Sequence, residues 1–363
     1  MYDSLKILRF RAFDAFEIHH LSRVNLIVGK NNAGKTSLLD AVEMMALGGR
    51  VVSLLRSPRR RGEISLAPAD EKMRRVLNIR HIFWGHQIQA GTCFEITGIA
   101  DSQEIKVSCE VRLGQSDQTQ FGQLSEQAEL ETPLEIIMTG PDNPDGEPIL
   151  PVSASGSLLE FARSRLSSGP TGGLATVWFL GTEFGAHPTS LRQSWEQLVL
   201  TPEEDMAISA MKMIEPAIER LVFISSATMA ESTPVVKLTG VEGRIPLGTL
   251  GDGIKRLLAQ AIYMARAAGG VLLIDEIDTG LHYTTLESMW RFVIESARRL
   301  DVQVFATSHS GDCIRALAWL QTDAPDLAAD ISVHRIDRAA PAAVRYSAAD
   351  IEIAARHHIE VRG

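Results

Sequence analysis

The octapeptide Gly29-Lys30-Asn31-Asn32-Ala33-Gly34-Lys35-Thr36 constrains this chain more than any other stretch of it. It has the form G-x-x-x-x-G-K-[ST], a glycine-rich loop that turns successive backbone N–H groups inward onto phosphate oxygens. Such a loop works only between a buried strand and the start of a helix, and both flanks are present. Val24 to Val28 form a short apolar run, and Leu38, Leu39, Val42 and Met45 recur behind the loop at helical spacing. Gly29 and Gly34 let the backbone curl, and Asn31 and Asn32 suit the turn because asparagine tolerates unusual backbone angles. Ala33 and Ser37 add N–H groups at the positive end of the helix dipole. Lys35 is placed to bridge the terminal phosphates and the Thr36 hydroxyl to ligate magnesium. This is a nucleotide site.

Two further strands supply the other half of it. Val271 to Ile274 read as a buried parallel strand ending in Asp275 and Glu276. Open α/β sheets bind ligands at the carboxyl ends of their strands. Asp275 is therefore assigned to magnesium, directly or through water, and Glu276 to the attacking water as proton acceptor or orienting group. A third run, Val302 to Ala306, ends in Thr307, Ser308 and His309. A histidine on that sheet edge can sense a γ-phosphate by a hydrogen bond.

Composition narrows the class. The 363 residues, 45% hydrophobic and 22% charged, are those of a folded globular chain, long enough for one large domain or two smaller ones. No apolar run reaches bilayer length, and "MYDSLKILRF" lacks a secretory signal, so a cytoplasmic protein without a membrane partner is expected. Cys93, Cys109 and Cys313 lack metal-ligand spacing and read as small core residues. The net charge of −9 argues against a nucleic-acid coat. Arg56, Arg59, Arg60, Arg61, Lys72, Arg74, Arg75 and Arg80 nevertheless form a local basic strip, either a phosphate-backbone contact or a solvated loop around Pro58.

A second helix start lies far from the phosphate loop. Gly251-Asp252-Gly253 opens a helix whose Ile254, Leu257, Leu258, Ala261, Ile262 and Ala265 share one stripe. From Gly251 to Asp275 is 24 residues, and from Glu276 to His309 is 33. In this order the sequence resembles the ABC-type ATPase heads: phosphate loop, signature helix, acidic strand, switch histidine. "LGDGIKRLL", "LLIDEIDTGLH" and "FATSHS" are similar to stretches of the bacterial AAA-family ATPases grouped with the OLD, RecF and SMC proteins. The likeness covers the first fifty residues and roughly Ile214 to Leu317. It implies an α/β fold, a P-loop ABC-type ATPase head: a mixed sheet flanked by helices, with an antiparallel β-subdomain and an inserted helical lobe. It also implies ATP with Mg2+, and a homodimer closed head-to-tail as an ATP sandwich. There Gly251, Asp252 and Gly253 would cover the γ-phosphate held by the partner's loop, and Gly280-Leu281-His282 would cross the interface. The family signature reads Leu-Ser-Gly-Gly-Gln, whereas this chain has Gly251 at the serine position and Asp252 next to it. Asp252 is a favoured N-cap, expected to bond the helix's first N–H groups and to leave Lys255 or Arg256 to approach the phosphate.

The expected division is 1–113 for the first part of the nucleotide-binding lobe with the β-subdomain, 114–240 for a loop-rich and helical insertion, and 241–363 for the rest of that lobe. Within it, 92–113 alternates as strands, 114–133 is a polar loop, and Leu191 to Leu221 reads as helix. The 54 residues after His309 fit a helix (Asp312 to Leu320), a strand (Ile331 to Ile336) and a tail, with no room for the nuclease domain of OLD-type proteins. Glu104-Ile105-Lys106 is read as strand and not as a nuclease fragment. In "RFRAF", Arg11 or Phe13 either stacks on adenine or is a surface arginine and a core phenylalanine. The whole implies an ATP-hydrolysing head that controls a separately encoded effector, or a DNA or RNA transaction, in anti-phage defence or DNA repair. A nucleotide-gated DNA clamp without effector, or a transporter motor subunit, are the alternatives.

Overall fold

Alternating apolar residues build the first strands of the computed structural model, which describes residues 1–69, 72–114, 134–146, 148–158, 176–182, 188–225, 232–357 and 359–361. β1 (Tyr2–Phe10) and β2 (Phe13–His19) pair antiparallel, and β3 (Val24–Val28) is buried at all five positions. There follow α1 (Lys35–Ala46), α2 (Val51–Arg60), β4 (Ile64–Ala69), β5 (Lys72–Leu77), β6 (Cys93–Ala100), β7 (Gln103–Leu113), β8 (Leu134–Thr139) and β9 (Pro148–Val152). The middle holds β10 (Val177–Leu180), α3 (Pro188–Glu196), α4 (Pro202–Met211), β11 (Ile218–Ser225), β12 (Ser232–Leu238) and β13 (Ile245–Pro246). The last third runs α5 (Asp252–Arg266), β14 (Val271–Ile274), α6 (Leu286–Arg299), β15 (Gln303–Ser308), α7 (Gly311–Asp323) and α8 (Pro325–Ala328). It closes with β16 (Ile331–Arg335), β17 (Val344–Tyr346) and α9 (Ala348–Arg356).

These strands form two large sheets. One is antiparallel, in the order β2-β1-β6-β7-β8-β9. The other runs β10-β14-β15-β3-β16-β17 and is parallel except for β17. Helix α1 lies between them. Its Leu38, Leu39, Val42 and Met45 share a core with Phe10, Phe16, Phe94 and Ile96 of the antiparallel sheet and with Ile27, Leu273 and Phe305 of the parallel one. The opposite face of the parallel sheet, through Leu26, Leu272 and Val304, packs on α5, α6 and α7. Covered on both faces, strands β3, β14 and β15 need continuous apolar sequence, which is what Val24–Val28, Val271–Ile274 and Gln303–Ser308 largely supply.

Some expectations need correction. Leu191 to Leu221 is two helices and the start of a strand, because Thr201 caps α4 through Glu203 N, with Pro202 in its first turn, and Leu200 takes a left-handed φ of 64°. The closing helix is longer than expected, Gly311–Asp323. The 114–240 segment supplies β8 and β9 to the antiparallel sheet and β10 to the edge of the parallel one, so it is woven into both. Most of the expected polar loop, from 115 to 133, lies outside the described residues. Among those residues no helix is long and apolar enough to cross a membrane.

Candidate nucleotide site

The loop leaving β3 is shaped by its glycines. A Cβ on Gly29 would stand 2.5 Å from the Ile336 carbonyl oxygen, and one on Gly34 would stand 2.8 Å from Phe13 Cζ. Gly34 also has φ 101°, a region that costs any other residue strain, and Asn32 takes φ 62° in the turn between them. The loop ends where α1 begins, at Lys35, so the helix N-terminus with Thr36 and Ser37 faces the same side. Lys35 is 5% exposed, and its Nζ donates to the carbonyls of Gly29 and Lys30, both at 2.8 Å. Burial lowers the Lys35 ammonium to about 8, against the opposing pull of Asp275 and Glu276.

Strand order brings the other groups to it. β15 lies between β14 and β3, so the ends of all three meet at one edge. Thr36 Oγ1 donates to Asp275 Oδ2 at 3.0 Å, and Thr307 Oγ1 donates to Asp275 Oδ1 at 2.6 Å. His309 Nδ1 is 3.3 Å from Lys35 Nζ, and His309 Nε2 is 3.6 Å from Glu276 Oε1. Burial and the Lys35 ammonium hold His309 below its ordinary value, which keeps the ring neutral near pH 7. Glu276 has a left-handed φ of 51°, strained for a residue with a Cβ. Its N–H donates to Thr307 Oγ1 at 2.8 Å, and its carboxylate accepts from Thr279 Oγ1 at 3.2 Å. Lys35, Thr36, Asp275, Glu276 and His309, all expected from the sequence, thus stand together.

A hydroxyl and a carboxylate, both hard oxygen donors, suit Mg2+, which takes one or two protein oxygens and completes its shell with phosphate and water. Among the described residues no cluster of three His, Cys, Asp or Glu exists that would suit a protein-caged metal instead. The ion would sit on Thr36 and Asp275.

Gly251 to Gly253 lie on the first turn of α5, away from these residues in sequence. Gly251 has φ 98°, and a Cβ there would meet nothing within 4 Å, so the tip faces open space. Asp252 departs from its expected role. It makes no capping bond; its carboxylate, 84% exposed, holds Lys255 Nζ at 2.8 Å. Arg256 departs further, for it points inward. It is 2% exposed; Nη2 donates to the carbonyls of Asp275 at 2.7 Å and Glu276 at 3.0 Å, and Nη1 to that of Gly181. Gln260, one turn on, donates to the Ile277 carbonyl at 2.8 Å. Burial lowers the Arg256 guanidinium to about 10, partly offset by Asp275, Asp278 and Glu276.

Arg11 is a correction. It is 5% exposed, pairs with Asp40 at 2.9 Å and Glu63 at 2.8 Å, and donates to Ser57 Oγ, so its guanidinium cannot stack on a base. Phe13, 2% exposed, is a core residue. Part of the basic strip lies on helix α2, not on a loop around Pro58, and there its arginines stay exposed but are partly engaged by acids. Arg60 and Arg61 pair with the buried Asp40, Arg60 also with Glu43, and Arg56 lies 3.7 Å from Glu43. Glu104 and Lys106 lie on β7, where Lys106 pairs with Glu95 across the hairpin, as an ordinary strand residue does. Sequence reasoning missed Thr307 as the link between the two acids, although it had placed that residue at the strand end.

Known proteins resemble this chain over parts of its length and in its fold. Residues 4–133 match a family described as an AAA domain, and residues 238–312 one described as "AAA domain, putative AbiEii toxin, Type IV TA system". The chain is 50% identical over 44 residues to the DNA replication and repair protein RecF of Xanthomonas oryzae pv. oryzae, 12% of either chain. It is 30% identical over 86 residues to an ATP/GTP phosphatase of Helicobacter pylori, 23% of either chain. Each alignment therefore spans less than a quarter of the relative. In fold, it is similar to an SMC head solved with the C-winged helix domain of ScpA, with a TM-score of 0.50 and 14% identity over 95% of this chain and 98% of that one.

Proposed function

From its place among the ABC-type AAA-family ATPases, in the group that holds RecF and the SMC heads, we propose that this chain binds and hydrolyses ATP as a homodimer. What carries the reading is the meeting of Lys35, Thr36, Asp275, Glu276 and His309 at the ends of three adjacent parallel strands. The loop N–H groups and Lys35 hold the β- and γ-phosphates. Thr36 and Asp275 would hold Mg2+, which would supply charge neutralisation to the phosphates. A water oxygen forms a bond to the γ-phosphorus while the bond to the β–γ bridging oxygen breaks, and that electron pair leaves on ADP. The Glu276 carboxylate takes the water's proton, and neutral His309 hydrogen-bonds the γ-phosphoryl group.

The open Gly251 tip is what a second copy's triphosphate would meet, so that each site is completed in trans. Closing and opening of this ATP sandwich would control a separately encoded effector, or a DNA or RNA transaction, in anti-phage defence or DNA repair. The toxin–antitoxin wording of one matched family and the repair role in the name of RecF support that range. A clamp that grips DNA through Arg59 to Arg61 is less well supported, since Arg60 and Arg61 are committed to Asp40.

The Glu276→Gln variant tests the assignment. It should retain ATP, lose turnover by roughly a hundredfold or more, as expected when a positioned base is removed, and accumulate as a dimer in sedimentation. Normal turnover in that variant would show that Glu276 is not the base.

A further inference from the structure

Arg256 occupies an unusual place for a cation. Its side chain is buried, no carboxylate among the described residues lies within ion-pair distance, and its Nε has no hydrogen-bond partner. A buried cation whose hydrogen bonds all go to carbonyls is expensive, although the nearby carboxylates of Asp275, Asp278 and Glu276 offset part of the cost. The carbonyls it holds are specific ones. Those of Asp275 and Glu276 belong to the two acids of the site, and that of Gly181 follows β10, the neighbour of β14.

The same helix grips the same turn at two more points. Gln260 takes the Ile277 carbonyl, and Gly253 packs so closely that a Cβ would stand 2.6 Å from the Gly280 carbonyl oxygen. Helix α5 is thus fastened along 275–280 from its tip through its third turn. Glu276 sits near the start of that stretch with a strained backbone, its N–H held by Thr307 and its carbonyl shared by Arg256 and the Thr279 N–H. A strained residue keeps its geometry only while its surroundings over-determine it. Small displacements of α5 therefore reach the backbone that carries the Glu276 side chain.

We infer that Arg256 is a positioning residue: it ties the helix tip that meets the partner's triphosphate to the backbone of this subunit's own Glu276. The inference rests on the ATP-sandwich reading above. In that dimer the tip of one subunit touches the nucleotide on its partner, while its Glu276 serves the nucleotide on its own loop. The link through Arg256 makes filling of one site a condition for turnover at the other, so the ATP dependence of hydrolysis is cooperative.

The experiment compares wild type, Arg256→Met, Arg256→Lys and Gln260→Met. It measures binding of a fluorescent ATP analogue, steady-state turnover across ATP concentration, and thermal melting. A sigmoidal wild-type curve with a Hill coefficient above one is expected. Arg256→Met should bind the analogue within about threefold of wild type, because the phosphate loop is intact, yet lose tenfold or more in kcat with a hyperbolic curve. Arg256→Lys, which places one ammonium against two carbonyls, should recover part of kcat and of the sigmoidal shape. Gln260→Met, which loosens the same turn one residue further on, should move both quantities the same way by less. Wild-type kcat and curvature in Arg256→Met would overturn the inference. So would a kcat that falls in proportion to melting temperature across all three variants with the curvature unchanged, since that is a purely structural role. A wild-type enzyme that turns over as a monomer would overturn the sandwich reading instead, and is seen before any variant is made.

Discussion

Thr307→Val is the substitution whose consequence can be worked most fully from the geometry. The Thr307 hydroxyl donates to Asp275 at 2.6 Å and accepts from the Glu276 N–H at 2.8 Å, and the side chain is fully buried. Valine keeps the shape and removes both bonds. A hydrogen bond to a charged carboxylate contributes about 1.5–3 kcal/mol, and a donor left unpaired costs about 1–3 kcal/mol. Asp275 retains its bond from Thr36, and both acids are only half-buried, so water recovers part of the loss. The net destabilisation is about 2–4 kcal/mol, visible as a fall of several degrees in the melting midpoint. The effect on turnover should exceed what stability explains, because Glu276 loses the partner of its backbone N–H, and kcat should fall roughly tenfold for the corresponding loss of about 1.4 kcal/mol at the transition state. Thr307→Ser should restore both. Calorimetric melting and steady-state phosphate release test this directly. A valine variant that melts and turns over like wild type would refute the idea that Thr307 joins the two acids.

Two further outcomes follow from the same structure. Lys35→Ala removes the buried ammonium at the loop and should weaken ATP binding by about a hundredfold, roughly 3 kcal/mol, in a filter or fluorescence assay; unchanged affinity contradicts the phosphate assignment. His334, buried in β16 beside Ser332, is lowered to about 3 by burial, with Arg345 and His20 adding to it, so the folded state keeps it neutral. Its contribution to stability is complete above the unfolded value near 6.5 and is lost as pH falls toward 3. Between pH 6.5 and 5 wild type should lose about 2 kcal/mol that His334→Gln does not lose, and parallel pH–stability curves for the two would contradict this.

What the sequence disclosed was whatever depends on local order. Gly29 to Thr36, Val271 to Glu276 and the run into His309 each announce a strand end with a reactive group. Parallel pairing then suffices to set those ends side by side. The side of helix α5 on which Arg256 works was not legible. Its apolar stripe at Ile254, Leu257, Leu258 and Ala261 assigns Arg256 and Gln260 to the outward face, yet that face is covered by the 275–280 turn and is buried too. Periodicity sees one buried face and cannot anticipate a second, polar one. Arg11 misled for a related reason. Its proximity to the phosphate loop in sequence is real, but its charge is claimed by Asp40 on α1, a helical acid whose burial nothing in the local pattern signals. Burial alone would raise Asp40; Arg11, Arg61 and Arg60 outweigh it and hold the carboxyl below its usual range. The path through 191–221 was mistaken because a capping threonine with Pro202 behind it outweighs a run of helix formers.

The most direct test of the account is turnover per subunit measured across a thousandfold dilution. If each helix tip completes its neighbour's site, specific activity must fall as subunits separate, and must recover on reconcentration. A rate per subunit that stays constant through the dilution, with ATP saturating throughout, would mean that one chain makes the whole site by itself.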